Sequence, residues 1–487
     1  MRTSSRLKLT TNISLLLIII VGFALFGSNR LATHAAGASI TLSVTSGPPT
    51  SSVRVNGKGF KSGETITLTF DTTQVGKKTA SSTGTFSTTI IVPGGAVPGN
   101  HVVRAKGNIS GRSAQTIFQV RTDWVQFGFN RQHTYFNVFE NVLNPANVSK
   151  LTQDWNTSAV TLYTSAAIVN NIVYVGSSDG NAYALNATTG SILWSQKIGS
   201  DSASSPAVIN NVVYIGTDNG TFDALNATSG AILWSASLGS SLLNSPTVAN
   251  NIIYIGSQNG KVYTLKAITG TKLWNSSIGD ASCGISSTTF NNGVVYISAS
   301  DSYCNLTLYA LNATSGGKLW SFPLQQVYYY VYPTATIVNG IVYIGSGLDF
   351  GNGECAEGNV YALNATSGKL LWKTSTSGCD ATTAVTNNTV YVGSDDGTVS
   401  ALNAITGKIV WTSTIGDIGN PIYVAPTVAN GVVYVSDGDL FALNAANGAI
   451  LWAHSFNNRN YSSPVVVNGI VYFASQDGNM YAFHLPA

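Results

Sequence analysis

The sequence predicts an all-β protein, and three observations carry that prediction. Of its 487 residues only 9% are charged, glutamate occurs only as Glu64, Glu140, Glu354 and Glu357, and Tyr (22), Trp (9) and Gly (49) are plentiful. Such a chain, rich in β-branched and aromatic residues and punctuated by Gly and Asn, favours strands over helices. Trp recurs at 155, 194, 234, 274, 320, 372, 411 and 452, and Tyr at 174, 214, 254, 296, 343, 391, 434 and 472. The spacing is about 40 residues, the length of a propeller blade. One period, "SSPAVINNVVYIGTDNGTFDALNATSGAILWSASLG" at 204–239, contains four strand-like runs: Ala207–Ile209, "VVYIGT", "TFDALNA" and "AILWSASL". Turns at Asn210–Asn211, "DNG" and "TSG" separate them, and other periods place Asn-Gly at the first turn (339–340, 430–431, 468–469), a favoured primed hairpin turn. Four antiparallel strands repeated eight times predict an eight-bladed β-propeller over 155–487, with a smaller β-sandwich over 38–121.

Residues 1–37 read as a targeting segment. Arg2, Arg6 and Lys8 precede an uncharged run from Ile13 to Gly27, followed by small residues at Ala35–Ala38. This is the order of a secretory signal; the run is shorter than the about 20 residues of a spanning helix, and an uncleaved anchor is the alternative. The expectation is an exported, extracellular or cell-surface protein that meets a membrane only through this segment.

Over 38–121, short alternating runs ("SITLSVT", "SSVRVNGKGF", "ETITLTF", "TFSTTIIVP", "HVVRAKG", "AQTIFQV") are separated by turn residues, the spacing of a small sandwich. The stretches "GKGFKSGETITLTFD", "GTFSTTIIVP" and "PGNHVVRAKG" resemble the immunoglobulin-like or IPT-like modules of bacterial surface proteins, which implies a spacer or adhesive module. This part holds nine basic and two acidic residues, net +7, whereas 122–487 holds eleven basic and nineteen acidic, net −8. A basic module beside an acidic one could rest on an anionic surface, and a solvated sandwich face is the favoured alternative reading. Nucleic acid is not expected, because basic–aromatic clustering is missing.

A lead-in segment over 122–154 connects the two parts. The eighth repeat stops at "MYAFHLPA" without its Trp strand, while "LTQDWNTSAV" with Trp155 precedes the first full repeat. Pairing the two closes the ring and leaves no open sheet edge. The unit A-L-N-A-x-(T/S)-G-x-x-x-W, preceded by V-Y-x-G-S-x-D/N-G, resembles the PQQ-like propeller repeat of quinoprotein dehydrogenases and of a lipoprotein of the outer-membrane protein assembly machine. For the enzymes, the resemblance implies Ca²⁺ held by Glu, Asn and Asp, a catalytic Asp, a Trp beneath the quinone and, in alcohol-oxidising members, two adjacent cysteines. This chain has no Cys-Cys pair, and its eight spaced tryptophans all occupy the outer-strand repeat position. No residue matches the quinone site, and no catalytic residue is assigned; site chemistry rather than fold decides function.

Other constellations are weaker. "GSSDG" (176–180) fits the hydrolase pattern G-x-S-x-G, but it falls at a hairpin turn whose sisters carry Asp218, Gln258 and Asp395 at the serine position, and the pattern needs a strand-to-helix elbow. The histidines (34, 101, 133, 454, 484) are scattered, which supports neither a triad nor a zinc site. Acidic turns "SDDG" (394–397) and "SDGD" (436–439) read as Asp-capped turns. In the inserted loop "GLDFGNGECAEG" (347–358), Asp349, Asn352, Glu354 and Glu357 are a weak calcium candidate. Four cysteines in an exported chain favour disulfides. Loop position places all four on one face and predicts Cys283–Cys304 and Cys355–Cys379.

That face also gathers aromatic residues. Aligned on the first hairpin turn, one position reads Tyr163, Ala203, Leu243, Gly284, Tyr332, Asp380, Tyr423 and Tyr461. Tyr423, Tyr461 and Tyr163 fall in neighbouring repeats; Tyr328, Tyr329 and Tyr330 of "QQVYYYVYP" and Arg459 add to them. Such tyrosines suit sugar stacking or a protein anchor, and a structural plug of the channel is the competing reading. The expectation is a monomeric, non-catalytic platform for a protein or cell-envelope glycan, needing no cofactor. The runner-up is an oxidoreductase with PQQ and Ca²⁺ in the funnel. The motif "YALNATSGKLLW" (361–372) contains a glycosylation acceptor, but sister turns read "LKAITG", "LNAITG" and "LNAANG". The turn and Trp persist where the acceptor is lost, so Asn and Gly shape the turn and Trp docks the outer strand.

Overall fold

The computed structural model describes residues 37–158, 164–199, 203–281, 283–326, 333–349, 355–376, 378, 382–415, 421–456 and 462–486. The N-terminal part is a pair of facing sheets. One contains β1 (Ser39–Leu42), β3 (Ser52–Lys58) and β6 (Phe86–Ile91). The other has the order β2 (Ser46–Gly47), β8 (Ser113–Val120), β7 (Gly99–Gly107), β4 (Thr65–Phe70), β5 (Thr73–Thr79). Alternation decides which side chains go inward: Val53, Val55, Ile66, Leu68, Phe70, Val103, Ala105 and Phe118 are buried in one cluster, while Arg54, Thr67 and Arg104 face outward. The sequence reading missed β5. It is an edge strand with no buried residue, so no apolar alternation marks it; Lys77 and Lys78 at such an edge discourage pairing with other chains.

Beyond the sandwich the described residues form eight sheets of four or five strands, over 167–197, 207–237, 247–277, 289–326, 336–376, 384–414, 427–454 and 465–484. Each follows the order read from the repeat. In the second, Ala207 pairs Tyr214, Val212 pairs Asn226, and Ala224 pairs Trp234. At the first turns, Asn170 and Asn171 have φ of 54° and 62°, as do Asn210 and Asn211 at 51° and 64°. Both central residues are left-handed, as a primed turn requires. The last sheet takes its outer strand from β10 (Thr152–Ser158), with Trp155 opposite Ala482 and Thr152 opposite His484.

Successive sheets are locked by the recurring residues. The indole N–H of Trp194 donates to the Ala227 carbonyl in the next sheet at 3.0 Å, and the Tyr174 hydroxyl donates to the same oxygen at 3.2 Å. The tryptophans at 155, 234, 274, 320, 372 and 411 donate likewise to Ala187, Ala267, Ala313, Ala365, Ala404 and Ala445. Trp therefore docks its strand on the neighbouring sheet's turn rather than within its own sheet. Trp452 turns instead to the Leu151 carbonyl (3.1 Å), just before β10, where the chain enters the eighth sheet and no such turn exists. Tyr434, in the same sheet as Trp452, keeps a buried hydroxyl without a hydrogen-bond partner. Between the last sheet and the first, Ser463 N–H donates to Ser165 Oγ at 2.9 Å, and Tyr472 OH to Ala187 O at 3.1 Å.

Candidate functional site

The first strands of successive sheets contact one another, and the lead-in segment runs along all eight of them. Trp124 exchanges two backbone hydrogen bonds with Ile168 (2.7 and 2.8 Å), Val125 O accepts from Val208 N–H (2.7 Å), and Gln126 Oε1 accepts from Val248 N–H (3.1 Å). Arg131 O accepts from Phe290 N–H, Gln132 O from Ile337, Thr134 O from Val385 and Tyr135 O from Val428, at 2.8–3.0 Å. β9 (Phe136–Asn137) then pairs in parallel with Thr427–Ala429, and Asn137 Nδ2 donates to Val466 O at 2.8 Å. The segment thus visits the first strands in chain order, one through eight, and satisfies a backbone group on each. Phe127 packs edge-on against both His133 and Tyr135, and Trp124 against Phe129.

Trp124, His133 and Tyr135 are sealed from water, and Phe127 and Phe129 are half-buried beside them. His133 is fully buried, with Nε2 3.2 Å from Thr247 Oγ1 and Nδ1 3.4 Å from Thr289 Oγ1. Burial pushes its pKa down to about 3, so it is neutral at physiological pH. Burial likewise pushes the Tyr135 hydroxyl well above its ordinary value, and neither that hydroxyl nor Trp124 Nε1 has a hydrogen-bond partner. The sequence reading did not single out this segment as a site occupant. Its contacts run mostly through backbone groups, which leave no side-chain pattern to read.

The N-terminal sheets attach at the end formed by the first turns. Arg121 bonds Asn170, Thr122 N–H donates to Asn468 Oδ1 (2.7 Å), and Asn141 Nδ2 donates to Ala96 O (2.9 Å). The opposite end carries the second-to-third-strand turns. There Cys283 and Cys304 are joined, their Cα atoms 5.3 Å apart, as the loop positions predict. Asp caps organise these turns: Asp179 accepts from Asn181 N–H (2.9 Å) and Tyr183 OH (2.6 Å), Asp477 from Asn479 and Tyr481, and Asp396 from Thr398. Burial raises the Asp179 carboxyl, but these hydrogen bonds outweigh it and hold it below its ordinary value; Tyr183 is pushed up to about 12 by burial and by that carboxylate. "GSSDG" is a hairpin turn, with Gly180 N–H donating to Ser177 O at 3.1 Å.

Of the aromatic face, Tyr423 is described and is 37% exposed. Tyr163, Tyr328, Tyr329, Tyr330, Tyr332, Asp380, Arg459 and Tyr461 lie outside the described residues, as do Asn352 and Glu354 and, through Cys379, the Cys355–Cys379 pairing. Asp349 and Glu357 are placed in paired strands, by backbone only. Among the described residues no three His, Cys, Asp or Glu side chains gather to hold a metal. Glu140 is committed to backbone: it accepts from Val142, Leu143 and Gly469 N–H at 2.9–3.1 Å.

Comparison with known proteins follows the repeat. The family model described as "Outer membrane protein assembly factor BamB" matches residues 144–284, 218–353 and 356–485. Among solved structures, BamB from Moraxella catarrhalis is similar at 20% identity and a TM-score of 0.57, covering 69% of this chain and 99% of that one. The computationally designed Ika8 protein is similar at 20% identity and a TM-score of 0.55, covering 67% and 96%. Quinohemoprotein alcohol dehydrogenase from Comamonas testosteroni is similar at 16% identity and a TM-score of 0.60, covering 74% and 80%. At these identities the likeness concerns the fold. No curated protein matches this chain.

Proposed function

The chain belongs to the PQQ-like propeller family whose model bears the description outer membrane protein assembly factor BamB, and on that premise we propose that it is an extracytoplasmic, non-catalytic scaffold that binds a protein partner. The eight sheets close into one eight-bladed ring over 155–487, carried by a sandwich module over 38–121. The observation that bears most weight is the lead-in segment: residues 124–137 follow the eight first strands, so the chain's own backbone and rings occupy the axis where a ligand would otherwise enter. The binding surface is then the end bearing the Cys283–Cys304 disulfide and Tyr423, opposite the attached sandwich. An aromatic, loop-built surface on a rigid scaffold suits protein recognition.

The quinone reading is tested on the same ground. A quinone with calcium needs free carboxylate oxygens near the axis, whereas Glu140 spends its oxygens on three backbone N–H groups. Trp124 packs against Phe129, within the chain's own segment. Neither Glu140 nor Trp124 is thus free to hold the group. Reconstitution with PQQ and Ca²⁺ and a dye acceptor is expected to give no turnover; robust turnover on alcohols or sugars would defeat the scaffold reading.

The direct test places a photo-crosslinking amino acid at position 423 in the native envelope, with a control at Leu371 on the outer strand. A discrete protein adduct from 423 and none from 371 is the expected result. Adducts to glycan alone, or none from either position, would count against a protein partner at this end.

A further inference from the structure

The outer face of the five-stranded sheet in the sandwich carries a basic array that the propeller does not use. Because Ile66, Leu68, Phe70, Val103 and Ala105 point inward, their strand neighbours point out, and the register sets them side by side. Lys77 pairs Thr67, and Thr67 pairs Lys106, giving one row across β5, β4 and β7. In the next row Thr69 pairs Arg104, which pairs Gln115. Strand spacing puts Lys77 and Lys106 about 10 Å apart, with Arg104 about 7 Å along its strand from Lys106.

Among the described residues no ion pair joins a carboxylate to Lys77, Arg104 or Lys106. The module has two acidic residues, Glu64 and Asp71. Glu64 is buried and accepts from the N–H groups of Lys61, Ile109 and Ser110, and Asp71 lies 2.7 Å from His101 Nδ1. Two apolar side chains accompany the array: Ile117, 49% exposed and opposite Val102 on the same face, and Ile109, 67% exposed in the turn joining β7 to β8. We infer that this face docks on an anionic phospholipid bilayer, with Lys77, Arg104 and Lys106 on the headgroup phosphates.

Three features favour a bilayer over a soluble polyanion. The face is a sheet rather than a groove, its exposed isoleucines suit the apolar boundary beneath the headgroups, and the uncharged run Ile13–Gly27 ends ten residues before Gly37. Net +7 on the module and −8 on residues 122–487 orient the molecule with its sandwich toward an anionic surface, a steering effect that salt weakens. This inference stands apart from the partner bound at the far end of the propeller.

The test is sedimentation of the full chain with vesicles of phosphatidylcholine alone or of equal parts phosphatidylcholine and phosphatidylglycerol. The neutral vesicles report any contribution of the N-terminal apolar run. Binding to the anionic vesicles is expected to be stronger and salt-sensitive. The pair Lys77→Gln/Lys106→Gln should weaken it about tenfold or more, while leaving neutral-vesicle binding and the melting temperature unchanged. The charge-matched pair Arg54→Gln/Lys58→Gln, on the outer face of the other sheet, should change it little. Equal affinity for the two vesicle types, equal losses from the two pairs, or binding of soluble polyphosphate in preference to vesicles would each overturn the inference.

Discussion

The carbonyl of Ala365 gathers most of what the repeat keeps. Trp320 Nε1 and Tyr296 OH both donate to it, at 3.1 and 3.0 Å, while Asn364 Oδ1 accepts from Thr366 and Ser367 N–H at 3.0 and 2.9 Å. Gly368 closes the turn at φ 69°, and a Cβ there would lie 2.7 Å from the Trp320 ring. Strain and overlap add, so Gly368→Ala is expected to cost about 2–4 kcal/mol. Asn364→Asp keeps an oxygen acceptor and should stay within about 0.5 kcal/mol although it abolishes the glycan acceptor. Denaturant midpoints for the two variants separate geometry from glycosylation. In the sandwich, burial raises the Glu64 carboxyl, but the N–H groups of Ser110, Lys61 and Ile109 outweigh it and lower its pKa to about 2. A depressed folded pKa contributes stability that is present above the unfolded value and lost as pH falls through the folded one. The sandwich should therefore lose stability between pH about 4.5 and about 2, and Glu64→Gln should flatten that dependence. Acid titration followed by Phe fluorescence or NMR of the sandwich reads it.

At the scale of elements, what was legible in the sequence is what side chains repeat. The four strands of each sheet, the Asn-Asn and Asn-Gly turns, and the pairing of the Trp155 strand with Asn479–His484 all follow from recurring residues. Two elements left no such trace. β5 has no fully buried residue and rests on the core only through Val75, and 124–137 binds the first strands mostly through main-chain groups, which any sequence supplies. Of the candidate face, loop position foretold the Cys283–Cys304 link, because spacing within one repeat fixes which loops adjoin; the turn that every spaced Trp but Trp452 bonds lies in the following repeat and was not readable from one unit. The lead-in segment carries the prediction that belongs here. His133 has its pKa held at about 3 by burial, so from pH about 6.5 down to about 3 the unfolded imidazole binds a proton that the folded one refuses, and stability falls with pH across that window. His133→Gln should remove that slope, and replacing 124–137 by a Gly-Ser linker should abolish cooperative melting of the propeller while the sandwich stays folded. Calorimetry across that pH range measures both; an unchanged propeller transition in the linker variant would show that the segment only fills space.

Over the whole molecule, the question is whether eight sheets act as a stack or as a ring. In a stack, stability is a sum of neighbour terms and a terminal interface matters least. In a ring there is no terminal interface, and the junction between the last sheet and the first also holds the chain's distant ends together. Trp155 and Trp194 make the same bond, to Ala187 at 3.2 Å and to Ala227 at 3.0 Å. Trp155, however, rides on β10, whose partner strand Asn479–His484 lies at the far end of the sequence, with Thr152 and His484 separated by 332 positions. Each Trp→Ala change removes packing worth about 3–5 kcal/mol. If the ring is closed, Trp155→Ala also loosens β10 and reopens that long loop, so it should lower the melting temperature further than Trp194→Ala. Hydrogen exchange should then show protection lost across both 152–158 and 465–484, whereas Trp194→Ala should affect the first and second sheets alone. A Trp155→Ala variant no less stable than Trp194→Ala, with exchange unchanged over 465–484, would mean that the sheets stand as an open array. The end bearing Tyr423 would then lack the rigid rim on which the proposed partner surface depends.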